Sequence, residues 1–357
     1  MSTEPKPKKF TYFIGIDVSR NELDFAIMRG KQFLYHKEIT NDTESINALI
    51  IELKALPSFV MTRCVFCMEH TGFYSNHLIA CLKRVKANIV IDNAVKIKNS
   101  LGIIRGKYDK IDAIRIAQYA YVNREGLVLW IDKRPVVQQL SNLTTLRNRL
   151  TTIQTALRTP VKEQASFVKK GISKASFDGC KKTTEAVKID LEDLENSIQE
   201  LVYSDERLKR LHDIIVSVPS IGFITAVQII ICTNEFRNIN NPKKFACYAG
   251  VAPFKRESGL MKGRAKVSPF ANKKMKSLLH LCAVIAIRYD STLKEYFIRK
   301  TQGEGKAKMS VLNAVRYKLI TRIFTCVNQD RLYEKEYVRE YEIKASTNYG
   351  YSKEKDL

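Results

Sequence analysis

The sequence predicts an α/β amino-terminal domain, a helical coiled-coil segment and a mainly α carboxy-terminal domain. Three observations carry that reading. Short apolar runs alternate with amphipathic stretches from Thr11 to Asp92. Two long segments between Pro135 and Val218 repeat apolar residues at spacings of three and four. Beyond Pro219 the pattern is mostly helical, with a glycine- and lysine-rich interruption from Gly250 to Phe270.

In the first domain, residues 11–130, Phe13-Ile14-Gly15-Ile16-Asp17-Val18 reads as a buried strand. Glu22 to Met28 and Gln32 to Ile39 read as two more, joined across Arg29-Gly30-Lys31 as an antiparallel meander. Asp42-Thr43-Glu44 opens a helix carrying Ile46, Leu49, Ile50 and Leu53. Arg63 to Glu69 is a fourth strand, Gly72 to Val85 a helix and Asn88 to Asp92 a fifth strand. Strands that alternate with helices run parallel to the first. In residues 135–215 one helix carries apolar residues at 136, 140, 143, 146, 150, 153 and 157. A second follows the Lys/Gly/Ser-rich stretch Lys169 to Lys182, with apolar residues at 187, 191, 194, 198, 201, 208, 211 and 215 and a gap at Asp205. Sustained over four turns, this is the seam of a coiled coil or helical hairpin. Residues 216–330 form the third domain. Residues 331–357, of mixed charge and with five tyrosines, read as a poorly ordered tail or an arm that orders on a partner.

Composition limits the partners. The 60 Lys and Arg outnumber 37 Asp and Glu to leave a net charge of +23, and the 45% hydrophobic content excludes a wholly disordered chain. Residues 216–330 hold 20 of the bases and only 6 acids, an excess of 14, against an excess of 6 in residues 1–130. A balance of this kind points to a polyanion. The longest apolar stretches, such as Ile224 to Cys232, are too short to span a membrane, and Met1 to Lys9 lacks the apolar core of a signal peptide, so a cytoplasmic protein is expected. The eight cysteines lie mostly in apolar runs, as in a reducing compartment. Cys64-x-x-Cys67 has no second pair at zinc spacing and reads as part of a buried strand.

Four acids stand out. Asp17 interrupts an otherwise apolar strand, a costly place for a carboxylate without a compensating cation. Glu69 ends the fourth strand in the same way. If the two strands are neighbours, both acids meet at the strand ends, where such sheets bind ligands. Asp109 and Asp112 follow a turn containing Gly102 and Gly106, and their i,i+3 spacing at a helix start puts both on one face. Together the four suit hard divalent cations, magnesium first and manganese as an alternative. A pair of ions can activate an attacking oxygen and stabilise a leaving one in phosphodiester chemistry. Asp24 and Asp92 rank lower: Asp24 lies in a more polar strand, and Asp92 precedes Asn93 as a helix cap.

Gly15-Ile16-Asp17-Val18-Ser19, the Glu69 strand and Tyr108-Asp109-Lys110-Ile111-Asp112-Ala113 resemble the Asp-Glu-Asp-Asp set of the "one-ten" insertion-sequence transposases, whose relatives include the Piv-type DNA invertases. Val218-Pro219-Ser220-Ile221-Gly222-Phe223-Ile224-Thr225-Ala226 and Tyr248-Ala249-Gly250-Val251-Ala252-Pro253 through Glu257-Ser258-Gly259 resemble that family's second domain. The resemblance covers about residues 11 to 300, in the family's order. It implies a ribonuclease-H-like, resolvase-type first domain, a coiled-coil spacer and a mainly α transposase domain that supplies a nucleophilic serine, here Ser258. It also implies donor and target DNA, a structured bridge RNA as guide, dimers assembling into a tetramer, and a nucleoid-associated location.

Other features fit nucleic acid. Lys255, Arg256, Lys262, Arg264, Lys266, Lys273, Lys274 and Lys276 crowd residues 255–276 with a single acid, and Phe254 and Phe270 are interleaved as stacking groups. Pro219-Ser220-Ile221-Gly222 resembles a helix-hairpin-helix turn. This chain has Ser220 where the family typically has glycine, so the turn reads either as a phosphate contact or as packing. The first functional expectation is an RNA-guided recombinase that forms a covalent serine–DNA intermediate. The alternatives are a metal-dependent, structure-specific endonuclease that uses water, and a binding protein without catalysis.

Overall fold

The computed structural model describes residues 9–100, 109–258 and 261–335. The chain forms two compact units that divide between Asp132 and Lys133.

The amino-terminal unit is built on a mixed five-stranded sheet. β1 (Tyr12–Val18), β2 (Glu22–Arg29) and β3 (Gln32–Thr40) form the expected antiparallel meander. β4 (Cys64–Glu69) lies beside β1 and parallel to it, and β5 (Asn88–Asp92) lies parallel to β4, giving the order β3-β2-β1-β4-β5. The helices are α1 (Thr43–Lys54), α2 (Asn76–Arg84), α3 (Ala94–Ser100) and α4 (Asp109–Val122). Asp42 caps α1 by accepting from the Ser45 N–H at 2.8 Å. Strand alternation sends Ile14, Ile16, Phe25, Phe66 and Met68 to one face with the apolar stripes of α1 and α2. It sends Phe13, Ala26, Val65 and Val90 to the other, where they meet Ala113, Ile116, Ala117 and Ala120 of α4. Cys64 and Cys67 point to opposite faces, so they are core residues and not half of a zinc site.

Gly15 sets how closely α4 approaches. A Cβ at this position would overlap the Ala113 carbonyl oxygen and the Ala117 backbone nitrogen, and would lie 2.8 Å from the Ala117 Cα. The helix therefore rests on bare strand backbone, directly after the first turn that carries Asp109 and Asp112.

The carboxy-terminal unit is mainly helical. α5 (Pro135–Phe167) and α6 (Lys170–Ser204) pack together, with Arg147 Nε donating to Glu195 at 2.7 Å. The Lys/Gly/Ser-rich stretch read as a break between helices is mostly the start of α6. The gap at Asp205 is a true end: its side chain accepts from the Leu208 N–H and starts a separate helix, α7 (Glu206–Ser217), so Leu208, Leu211 and Ile215 do not continue the α6 seam. Val187, Leu191, Leu194 and Ile198 are buried, whereas Leu146 and Ile153 on α5 are exposed. α8 (Phe223–Thr233), α9 (Pro242–Tyr248), α10 (Lys273–Tyr289), α11 (Ser291–Ile298) and α12 (Lys308–Asn328) complete the core. The Gly250–Phe270 interruption contains a hairpin, β6 (Pro253–Ser258) and β7 (Met261–Val267). Ser220 holds a left-handed conformation, φ 72°, and the turn around it packs through buried Val218 and Ile221. Serine thus takes the glycine-like geometry at a cost of roughly 1–2 kcal/mol. Of the tail, Tyr333 donates its N–H to Ser217 Oγ at 2.8 Å, and residues 336–357 lie outside the described residues. No helix among the described residues is long and apolar enough to cross a membrane.

Asn234, Glu235 and Phe236 take positive φ in succession after α8. An ion network holds this strained turn. The Glu235 carboxylate, with no exposed side-chain surface, accepts from Arg134 Nη2 at 2.7 Å and pairs with Arg207 Nε at 3.0 Å, while Arg134 also grips Asp205 through two bonds of 2.8 Å.

Two stability measurements test this packing. Gly15→Ala should destabilise the first unit by about 3 kcal/mol, because the new methyl meets backbone that cannot move aside. Arg134→Met should cost the second about 3–5 kcal/mol by leaving a buried carboxylate short of its partner. Urea denaturation of the full chain reads both, and a midpoint within error of wild type would refute the corresponding contact.

Candidate active site and nucleic-acid interface

Register decides which acids meet. Asp17 pairs with Asp24 across β1 and β2, and Glu69 pairs with Asp92 across β4 and β5. The β1–β4 ladder ends at Ile16 and Met68, one residue short of Asp17 and Glu69. Opposed residues share a face. Asp24, Asp17, Glu69 and Asp92 therefore form a row across four strands, on the face covered by α4.

The outer members are already compensated. Asp24, read from sequence as lying in a more polar strand, is buried, and its Oδ1 meets His36 Nε2 at 2.7 Å. Asp92 accepts from Tyr119 Oη and from Lys96 Nζ, each at 2.5 Å. Burial would raise the Asp92 carboxyl, but these bonds and the Asn93 N–H hold it below its ordinary value. The helix-cap role belongs to Asn93, which accepts from the Val95 N–H at 2.8 Å.

The inner members have no cationic partner among the described residues. Burial, then the charges of Asp112, Asp109 and Glu69, push the Asp17 carboxyl up to about 6, against one N–H from Val18 that favours the charged form. Burial and Asp112 likewise raise Glu69. Asp109 and Asp112 occupy the first turn of α4, where the helix dipole favours carboxylates, and Asp112 also accepts from Arg115 Nη1 at 2.8 Å. The glycine-rich turn before α4, with Gly102, Gly106 and Tyr108, lies outside the described residues. The other three predicted acids thus all fall within electrostatic reach of Asp17. Among the described residues, no three acids, histidines or cysteines stand close enough to ligate one ion as they are. An all-oxygen set with two uncompensated members fits a hard divalent cation.

In the second unit, Ser258 is the last residue of β6. It is exposed and stands opposite Met261 at the hairpin tip, so the glycine- and lysine-rich interruption is strand from Pro253 up to Ser258. Among the described residues no imidazole or carboxylate hydrogen-bonds its hydroxyl. The backbones of Lys255, Arg256, Lys262 and Arg264 lie in the hairpin; their side chains lie outside the described residues, as does Gly259. Lys266 and Lys273 are exposed, and Lys274 and Lys276 are half-buried, with burial lowering the Lys274 pKa. Lys273, Lys274 and Lys276 sit at the amino-terminal end of α10 with no acid in its first turn, an arrangement the helix dipole disfavours unless an anion is nearby. Phe254 and Phe270 are exposed, as stacking groups need to be.

Residues 14–164 match the DEDD transposase model of IS110 type, and residues 212–297 match the model of the transposase IS116/IS110/IS902 family. The chain belongs to the IS110 family of transposases. A pilin gene-inverting protein of Moraxella bovis is 24% identical to the transposase over 329 residues, which span 90% of this chain and 98% of the relative. An uncharacterized 44.8 kDa protein of insertion element IS116 from Streptomyces clavuligerus is 22% identical over 143 residues, 40% of this chain and 35% of its own. Among solved structures, T. thermophilus RuvC in complex with a Holliday junction substrate aligns with 34% of the transposase and 99% of that chain, at 12% identity and a TM-score of 0.27. By its two transposase domains and its similarity to a gene-inverting protein, the transposase is a DNA-recombining enzyme.

The pairings of Asp24 with His36 and of Asp92 with Lys96 and Tyr119 were missed by sequence reasoning. The i,i+4 spacing of Asp92 and Lys96 was the only local signal for them.

The raised Asp17 pKa has a stability consequence. The folded chain holds a proton between pH 3.8 and about 6 that the unfolded chain has released, so stability falls as pH rises through that window and the penalty is complete at neutral pH. After allowance for solvent screening it amounts to about 2 kcal/mol. In EDTA, Asp17→Asn should therefore melt higher than wild type at pH 7.5 and match it near pH 4. Magnesium should stabilise wild type and not the variant; equal response of both to magnesium would remove Asp17 from the cation site.

Proposed function

We propose that the transposase is an RNA-guided DNA recombinase in which Asp17, Glu69, Asp109 and Asp112 hold two divalent cations, magnesium first, and Ser258 is the nucleophile. The observation that carries the reading is the selective lack of compensation at the centre of the acid row: Asp24 and Asp92 have their own partners, whereas Asp17 and Glu69 have no cationic partner among the described residues and are pushed up by burial and by neighbouring acids. When bound, the cations would polarise the phosphodiester and lower the pKa of an oxygen they ligate.

In the proposed step the Ser258 Oγ attacks phosphorus and loses its proton. The Oγ–P bond forms as the P–O bond to the neighbouring sugar breaks, and the leaving sugar oxygen takes up a proton. One phosphodiester replaces another, so rejoining to a second DNA strand needs no external energy. The exposure of Ser258 at a hairpin tip supports access to a bulky backbone, and the excess of 14 positive charges in residues 216–330 supports holding one. A serine hydroxyl is a weak nucleophile until a base takes its proton. In this reading the proton is taken by a group that substrate binding brings to Ser258. The guide RNA and the assembly of dimers into a tetramer rest on the family resemblance, and the pilin gene-inverting relative supports DNA as substrate.

The decisive experiment incubates the full chain with its flanking-element RNA, DNA and magnesium, and looks for an SDS-resistant protein–DNA adduct. Ser258→Ala should abolish the adduct while RNA binding stays intact. Asp17→Asn should lower adduct yield by at least about 100-fold, the scale of losing one transition-state electrostatic group. Cleavage that persists in Ser258→Ala and releases free 5′-phosphate ends would replace this reading with a water-using endonuclease.

A further inference from the structure

Arg316 is an unusual residue for a protein core. It lies on α12 between Leu312 and Ile320, on the stripe that faces the second unit's core, and only 4% of it is exposed. Its Nη1 donates to the Asn313 amide oxygen at 3.2 Å and its Nη2 meets His280 Nδ1 at 2.7 Å, while Nε has no partner. Among the described residues no carboxylate pairs with it, and burial, then the Arg316 charge, holds the His280 pKa down. A buried guanidinium without a counter-charge costs several kcal/mol. Arg134 in the same unit shows the ordinary solution, with two carboxylates.

Arg316 lines a cleft of about 980 Å³ formed by β6, β7, α9, α10 and α12. Three more cations, Lys243 from α9, Lys266 from β7 and Lys276 from α10, share the lining with Asn313 and Tyr317, and no acid does. Four cations from four different elements converge on one concave surface whose innermost charge is unpaid. The cleft reaches the base of the hairpin at Pro253 and Val267. Ser258 is five residues further along β6, roughly 16 Å at the strand rise.

We propose that this cleft is an anion site that takes a backbone phosphate of nucleic acid, at a position separate from the phosphate Ser258 would attack. Arg316 supplies the buried charge, and Lys243, Lys266 and Lys276 close around the phosphate oxygens. The site rests on the reading that the chain binds nucleic acid and is independent of the serine chemistry. It would hold the strand a few nucleotides from the hairpin tip, so the tip need not bind tightly itself.

The test measures full-chain binding to a short fluorescein-labelled DNA duplex and to a single-stranded RNA, across a salt series, for wild type and Arg316→Met. The variant should bind one or both about tenfold more weakly, with a salt slope shallower by roughly one. Free of nucleic acid it should melt higher than wild type, because the unpaired buried charge is gone. Unchanged affinity and slope for both probes would overturn the proposal. So would stabilisation of wild type, but not of the variant, by inorganic phosphate with nucleic-acid binding unaltered, which would mark a site for a free anion. If Arg316→Met does not fold, Lys243→Gln combined with Lys276→Gln decides the matter, with a slope shallower by about two expected and no change overturning it. Because no step is catalytic, a wild type that forms no covalent adduct leaves this result readable.

Discussion

The candidate active site depends on the bare backbone of β1 at Gly15. Without a side chain there, α4 settles directly onto the strand, and the contact with Ala113 and Ala117 fixes the height and rotation of the helix. Asp109 and Asp112, in the turn just before this contact, are thereby carried to the end of the strand that bears Asp17. The parallel pairing of β4 with β1 supplies the remaining acid, Glu69. Two backbone constraints, neither of them catalytic, thus convert acids distant in sequence into one electrostatic group.

The two units solve the burial of charge in different ways. In the second, Arg134, Asp205, Arg207 and Glu235 form a closed network that holds three residues of unfavourable backbone in place. Closed networks stabilise a fold and leave nothing for a ligand to gain. Asp17 with Glu69 and Arg316 are the open cases, one pair negative and one residue positive. Each stands in contrast to a partnered charge of its own unit, Asp24 with His36 in the first and Glu235 with Arg134 in the second, and that contrast sets them apart as proposed places for ligands: cations at one, phosphate at the other.

Much of the fold was legible because apolar runs and helix caps are local signals. The five strands, the meander and the parallel return all follow from patterns within a few residues, and Asp17 was conspicuous against its apolar neighbours. What was not legible depends on register or on helix continuity. Asp24 looked expendable because its partner, His36, is reached only through the β2–β3 ladder. The stretch Lys169 to Lys182 looked like a linker because its lysines, glycines and serines lower helix propensity, yet most of it is helical. The hairpin bearing Ser258 was hidden by its glycine and lysine content. Arg316 did leave a trace: at i+4 from Leu312 and i−4 from Ile320 it interrupts an apolar stripe, as Asp17 interrupts a strand.

The pairing of the outer acids also limits where a cation could gain. His36 takes up Asp24, and Lys96 with Tyr119 takes up Asp92, while Arg115 already shares Asp112. The charge left without a cationic partner among the described residues is concentrated at Asp17 and Glu69 in the middle of the row. His36, Lys96 and Tyr119 thus act as insulators for the proposed centre: they confine the attraction for a cation to the inner strands and keep it from spreading along the sheet.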